Sequence, residues 1–169
     1  MAVRIADIEA LCTGLNYAGV RYLVVGGLAV IAHGYIRTTV DIDLVLDPDA
    51  SNLTNAVTVL TGLDYRPRVP VSMESFVDAD ERKRWQDEKD MVVFTVIKGG
   101  GSGASEVDLF LEPPFDFAAA YSEAFWQDLP GGGRVPFVDL MRLIDMKQDA
   151  GRAKDLTDLD ILRKLVDNG

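Results

Sequence analysis

The segment from Val24 to Asp47, VVGGLAVIAHGYIRTTVDIDLVLD, constrains the fold more than any other part of the chain. Its pattern predicts a buried strand, a glycine turn, a short helix and a second strand. The second strand carries Asp41 and Asp43 on one face, because residues two apart along a strand point the same way. Their carboxylates then stand roughly 7 Å apart or closer. Aspartate is depleted in strands, so this face requires a partner that favours two neighbouring negative charges.

The rest of the chain alternates between helical and strand patterns. Apolar residues at helical spacing predict a first helix over residues 3–18, and residues 50–62 suit another. The charged run DADERKRWQDEKD is typical of a solvated helix, and MVVFTVI is typical of a strand. KGGGSGAS, which follows, has the composition of a flexible polar loop.

The second half of the chain adds a third aspartate to a strand. EVDLFLEPP predicts a strand with Asp108 on the face opposite Val107 and Leu109. A short helix, a hairpin across PGGGR and two helices joined at Gly151 complete the order. We therefore predict an α/β (α+β) fold with a small mixed β-sheet flanked by helices.

Length and composition predict one domain over residues 1–169, with a sheet core at 1–133 and C-terminal helices at 134–169. No apolar run approaches the ~20 residues of a membrane span, so we expect no membrane partner. The amphipathic, acidic N-terminal segment does not resemble a signal peptide. Cys12 is the only cysteine, which excludes an internal disulfide. Together these features predict a cytoplasmic location.

Charge is unevenly distributed along the chain. The formal net charge of -10 argues against indiscriminate binding to nucleic acid, because Lys and Arg supply most non-specific affinity for phosphates. Residues 134–164, however, contain seven Lys or Arg and six Asp. This nearly neutral part of the chain is where a phosphorylated ligand is expected to bind.

The three strand aspartates, Asp41, Asp43 and Asp108, form a plausible metal site. Like charges oppose one another's ionisation, and desolvation adds to that cost. A divalent cation reverses the effect, and Mg²⁺ takes carboxylates together with water and substrate phosphate oxygens. We therefore expect Mg²⁺ at these residues, with Mn²⁺ as a substitute.

Two residue types between the strands suit a phosphate ligand. Gly26 and Gly27 have no Cβ, so a ligand can approach the backbone, and they open a short helix whose free N–H groups suit an anion. Arg37 lies between the glycines and the aspartates, where a guanidinium would find carboxylates and phosphates as partners. His33, the only histidine, fits packing better than acid–base chemistry.

The combination of these features resembles a known superfamily. GG, thirteen residues, DID and a later VD are similar to the signature of polymerase-β-like nucleotidyltransferases. The resemblance implies a nucleotidyltransferase fold. It also implies that Asp41 and Asp43 bind two metal ions, that Asp108 helps to activate an acceptor hydroxyl, and that the glycines hold a triphosphate.

A second pattern resembles a narrower family. MKQDAGRAKDLTDLDIL is similar to the C-terminal motifs of AbiEii-type nucleotidyltransferases, many of which are toxins of toxin–antitoxin pairs. The resemblance implies that Lys147 faces the nucleotide phosphates, that Asp155 supports the site, and that Arg152 belongs to the nucleotide-binding residues. An ordinary helix start, with Asp155 favoured by the helix dipole, accounts for the same residues.

These resemblances predict an enzyme that moves a nucleoside monophosphate from an NTP to an acceptor hydroxyl. The acceptor is unknown, with a tRNA end, a protein and a small molecule as candidates, and an antitoxin is an expected partner. Two alternatives stay open. The segment GGLAVIAHGYIRTTVDIDL also resembles small nucleotidyltransferases that act on lincosamide and aminoglycoside antibiotics. A nucleotide-binding module without turnover is the non-enzymatic alternative.

Overall fold

The computed structural model describes residues 2–100 and 103–169. The polar loop predicted from KGGGSGAS lies partly outside these residues. Within them, the chain forms the α-helices α1 (Ile5–Tyr17), α2 (Gly26–Ala32), α3 (Ala50–Gly62), α4 (Ala79–Lys89), α5 (Phe117–Ser122), α6 (Leu140–Ala150) and α7 (Ala153–Asp167). The strands are β1 (Tyr22–Val25), β2 (Asp41–Leu46), β3 (Arg66–Pro67), β4 (Val93–Lys98), β5 (Ser105–Phe110), β6 (Phe125–Asp128) and β7 (Arg134–Phe137).

All of these strands belong to one mixed sheet with the order β3-β4-β5-β2-β1-β7-β6. β2 runs antiparallel to β1 and parallel to β5, and the latter pairing sets Asp43 directly opposite Asp108. β6 and β7 form the hairpin that was predicted around the PGGGR turn, and β7 extends the sheet beside β1. The prediction of a small mixed sheet flanked by helices is confirmed.

The sheet separates two apolar cores. Ile42, Leu44 and Leu109 point to one face, where they pack with residues of α1 and α3. Val25 and Val45 point to the other face, where residues of α2, α5, α6 and α7 cover them. Because side chains alternate along a strand, the three aspartates share this second face. The aspartates therefore lie beneath the C-terminal helices.

Local sequence accounts for most element boundaries. Asp49 begins α3 by accepting hydrogen bonds from two backbone amides, and Gly151 ends α6 with φ of 61°, in the left-handed region that favours glycine. The predicted α3 boundaries agree with the structure. The two-residue strand β3 and a 3-10 turn at Met73–Phe76 were not predicted, since a polar segment interrupted by prolines carries little periodic signal. Among the described residues, no helix is both long and apolar enough to cross a membrane.

Candidate functional site

The acidic cluster consists of Asp41, Asp43 and Asp108. One carboxylate oxygen from each residue lies within 4.8 Å of the others, and all three side chains are partly exposed. β2 supplies the first two residues, and the parallel register of β5 brings the third beside them. The prediction that these aspartates share one site is consistent with this geometry.

The environment of the cluster opposes its negative charge. Burial raises the pKa of Asp43 to about 7, and the charges of Asp41 and Asp108 add to the effect, while Lys147 and Lys154 act against it. The pKa of Asp108 is also raised, chiefly by burial. The ionised form of these carboxylates therefore destabilises the folded, metal-free protein, and such positions are common at functional sites.

Threonine hydroxyls orient two of these carboxylates. Thr95 on β4 donates a hydrogen bond to Asp108 Oδ1 at 2.5 Å, and this bond opposes the rise in the pKa of Asp108. Thr39 donates to Asp41 Oδ1 at 3.3 Å. Sequence reasoning missed both threonines. Thr95 and Asp108 are cross-strand partners in the antiparallel β4–β5 pair, so only the strand register reveals their contact.

Neighbouring side chains lie so close to both glycines of the GG turn that neither position has room for a Cβ. Gly26 has φ of 67°, and a Cβ at this position would overlap the carboxylate of Asp43. A Cβ on Gly27 would lie 2.6 Å from Thr39 Oγ1. The GG turn therefore lets the start of α2 pack directly against the acidic cluster. Its role in holding phosphate stays a prediction.

A basic wall faces the cluster from the C-terminal helices. The ammonium group of Lys147 on α6 is buried between Asp155 and Asp158 of α7, with Nζ–Oδ distances of 3.1 and 3.0 Å. Arg152 Nε donates to Asp155 Oδ2 at 2.7 Å. Burial opposes ionisation of Asp155, yet the hydrogen bonds from Arg152 and Lys147 lower its pKa overall.

Asp155 also has the structural role that the helix-start interpretation assigns to it. Its carboxylate accepts a hydrogen bond from the backbone N–H of Arg152 at 3.2 Å, which caps α7. The cap and the ion pairs use the same carboxylate, so the structural and site-supporting interpretations are compatible. The predictions that Lys147 faces the nucleotide phosphates and that Asp155 supports the catalytic site stay hypotheses.

A cavity of about 520 Å³ lies between the acidic cluster and the basic wall. Every residue assigned to the site from the sequence lines it: Gly26, Gly27, Arg37, Asp41, Asp43, Asp108, Lys147, Arg152 and Asp155. The structure adds an apolar side, which includes Val92, Val93, Phe110, Pro114 and Met146. These residues carry no chemical signature in the sequence, and only the fold identifies them as cavity residues.

Other candidate side chains pack elsewhere. His33 Nε2 lies 2.8 Å from the backbone oxygen of Val138, and its ring stacks on Phe125. Trp85 is buried and stacks on Phe94, so the charged helix α4 is solvated on one side only. Neither His33 nor Trp85 is among the residues that line the cavity.

The acidic cluster fits a divalent metal ion. Asp41, Asp43 and Asp108 provide hard oxygen ligands of the kind that Mg²⁺ and Mn²⁺ prefer. Burial first, and then the charges of Asp41 and Asp108, raise the pKa of Asp43 and so disfavour its ionised form in the metal-free protein. A divalent cation would reverse this effect.

Solved structures of nucleotidyltransferases share this fold. An antigenic nucleotidyltransferase-like protein from Paracoccidioides brasiliensis matches with a TM-score of 0.63 and 17% identity, over 98% of this chain and 76% of that chain. The lincosamide antibiotic adenylyltransferase LnuA, bound to lincomycin, matches with a TM-score of 0.59 and 14% identity, over 98% of this chain and 99% of that chain. ANT(2")-Ia in complex with adenylyl-2"-tobramycin matches with a TM-score of 0.56 and 12% identity, over 96% of this chain and 88% of that chain.

These likenesses identify the fold as that of nucleotidyltransferases. No protein-family model matches the chain, and no curated protein matches its sequence. The predicted nucleotidyltransferase fold is therefore confirmed, and membership of the superfamily and of the AbiEii-type family stays a prediction.

Proposed function

We propose that this protein is a metal-dependent nucleotidyltransferase, which transfers a nucleoside monophosphate from an NTP to an acceptor hydroxyl and releases pyrophosphate. One observation carries the proposal: a single cavity sets three aspartates within 4.8 Å of one another and faces them with Lys147, Arg152 and Lys154. A cluster of acids alone would suit a metal ion. The facing cations suit the phosphates that such an ion accompanies.

Each wall of the cavity has a separate task in this reaction. Asp41, Asp43 and Asp108 would hold Mg²⁺, which supplies charge compensation and Lewis-acid polarisation at the transferred phosphoryl group when bound. Lys147 and Arg152 would bind the triphosphate and keep the reacting atoms aligned. Two ions and replacement of Mg²⁺ by Mn²⁺ belong to this proposal.

Asp108 is the residue suited to accept the proton of the acceptor hydroxyl. Thr95 donates to Oδ1 only, which leaves the second carboxylate oxygen available to the acceptor hydroxyl. The acceptor oxygen forms a bond to the α-phosphorus as the bond from that phosphorus to the β-phosphate oxygen breaks. Pyrophosphate leaves, and the proton stays on the carboxylate until solvent removes it.

Label transfer from an NTP tests this function. The protein is incubated with each of the four α-³²P-labelled NTPs, Mg²⁺, total RNA, a protein extract and hydroxylated antibiotics, and labelled species are then identified. Asp41→Asn and Asp108→Asn should reduce labelling by about 100-fold or more. Asp160→Asn, which removes an exposed carboxylate from α7, is the matched control. Tight NTP binding without any labelled acceptor would instead support the non-catalytic nucleotide-binding module.

A small-molecule acceptor is the second part of the proposal, and two observations favour it. The cavity has an apolar side formed by Val92, Phe110, Pro114 and neighbouring residues, which suits a partly apolar acceptor. Two structural neighbours are antibiotic adenylyltransferases, and the match extends over 99% of the LnuA chain. Label on an antibiotic in the transfer assay would support this acceptor class.

The toxin hypothesis predicts a different outcome of the same assay. It rests on the similarity of Lys147, Arg152 and Asp155 to the AbiEii-type motifs, and it predicts label on RNA or protein together with an antitoxin that suppresses labelling.

Cys12 is the only cysteine of the chain and is buried, which supports a reducing, cytoplasmic setting for either acceptor.

A further inference from the structure

A chain of alternating charges closes one side of the cavity. It runs through Arg37, Asp158, Lys147, Asp155 and Arg152, with each member in contact with the next. The carboxylates of Asp155 and Asp158 are 0% and 4% exposed. Three cations and two carboxylates leave one positive charge in excess on this wall, opposite the three aspartates of the sheet.

Asp158 is the link between the C-terminal helices and the segment that precedes β2. Its Oδ2 contacts both Arg37 Nη1 and Lys147 Nζ. Lys147 has a second carboxylate partner in Asp155. Among the described residues, Arg37 forms an ion pair with Asp158 alone. Loss of the Asp158 charge therefore affects Arg37 more than Lys147.

Arg37 depends on such an anchor because its backbone gives it little support. It lies in the irregular segment 33–40 between α2 and β2. Its long side chain has many rotamers, so the guanidinium could occupy many positions without a partner that fixes it. In the structure, its Nη2 atom lies 3.6 Å from the position that a Cβ on Gly27 would occupy. The guanidinium is therefore held beside the start of α2, on the cavity wall.

We infer that Asp158 is a positioning residue for nucleotide binding: it holds the Arg37 guanidinium at the cavity wall in the orientation that receives the triphosphate. Asp158 acts through Arg37 and does not itself touch the nucleotide. The inference rests on the proposed function, because it requires an NTP to bind beside Gly27 and Arg37.

Calorimetric titration with Mg²⁺ and α,β-methylene analogues of the four NTPs tests this role, because these analogues block the bond that the reaction breaks. All variants are compared at a temperature at which circular dichroism shows them folded. Asp158→Asn should weaken binding by about tenfold, as expected for the loss of one charged hydrogen bond to phosphate. Asp160→Asn removes the same charge from the exposed side of α7 and should bind as the unmodified protein does.

A double-mutant cycle separates positioning from general stability. Arg37→Met should weaken binding at least as much as Asp158→Asn, and the double variant should bind as Arg37→Met does, because Asp158 then has nothing left to position. Lower thermal stability of Asp158→Asn with unchanged affinity would overturn the inference. So would a double variant whose fold-loss of affinity equals the product of the two single losses, because the two residues would then act independently. If the unmodified protein binds none of the four analogues, the proposed function fails, and the inference fails with it.

Discussion

Replacement of Asp43 by asparagine should stabilise the metal-free protein at neutral and alkaline pH. Burial and the charges of Asp41 and Asp108 raise the pKa of Asp43 from 3.8 to about 7 in the folded state. Below pH 3.8 the residue is neutral whether folded or unfolded, so it carries no electrostatic cost. Above pH 7 it is charged in both states, and the folded protein bears the whole cost.

The size of this effect follows from the pKa difference. One pKa unit corresponds to about 1.4 kcal/mol, so the charge of Asp43 costs the folded state about 4 kcal/mol above pH 7. The free energy of unfolding of Asp43→Asn, relative to the unmodified protein, should therefore rise by about 3 kcal/mol between pH 4.5 and pH 8. Asparagine keeps the shape of the side chain, so loss of packing contributes little to this difference.

Urea denaturation in the presence of EDTA, at pH steps from 4.5 to 8.5, measures the effect. Asp145→Asn, an exposed change on α6, is the control and should show no such pH dependence. Addition of Mg²⁺ should reduce the advantage of Asp43→Asn above pH 7 from about 4 to about 1 kcal/mol, because an ion at 100 times its Kd stabilises the folded unmodified protein by about 2.7 kcal/mol and Asp43→Asn loses a ligand. A metal-free Asp43→Asn protein that is less stable at pH 8 than the unmodified protein would refute the reasoning.

Two further substitutions test the walls of the cavity. Gly26→Ala should destabilise the protein by more than about 2 kcal/mol in thermal unfolding, because its Cβ would overlap a carboxylate. Gly19→Ala, at φ of 69° and with no neighbour within 4 Å, isolates the backbone contribution, and equal losses for the two would contradict the steric argument. Lys147→Met should cost about 3 to 5 kcal/mol in urea denaturation, because Asp155 and Asp158 stay buried without their shared cation. A stable Lys147→Met protein with weakened NTP binding would show that the ammonium serves the ligand rather than the fold.

The sequence contains enough information to predict most strands, most helices and the acidic cluster. Alternation along a strand is a local property, so Asp41 and Asp43 share a face in any sheet that buries Ile42 and Leu44. The GG turn is equally local, although the need for Gly26 arises from its contact with Asp43 across the β1–β2 pair. Local sequence patterns therefore identify Asp41, Asp43 and Gly26 on the acidic side of the cavity.

The other wall depends on tertiary contacts that no spacing encodes. Arg37 and Asp158 are separated by 121 residues, and their ion pair forms only because α7 packs over the segment before β2. The resemblance of Lys147 to a phosphate-facing lysine gave no indication that two carboxylates enclose its ammonium group. Likewise Thr95 reaches Asp108 through strand register alone.

The separation of the two walls along the chain has a consequence for biosynthesis. A ribosome makes the strands of the acidic cluster before helix α7, so a growing chain presents Asp41 and Asp43 long before Asp155 and Asp158 exist. Until α7 emerges, Lys147 and Arg37 lack their carboxylate partners, and the cavity has only one of its sides. The complete cavity, on which the proposed nucleotide binding depends, therefore exists only after α7 has been translated.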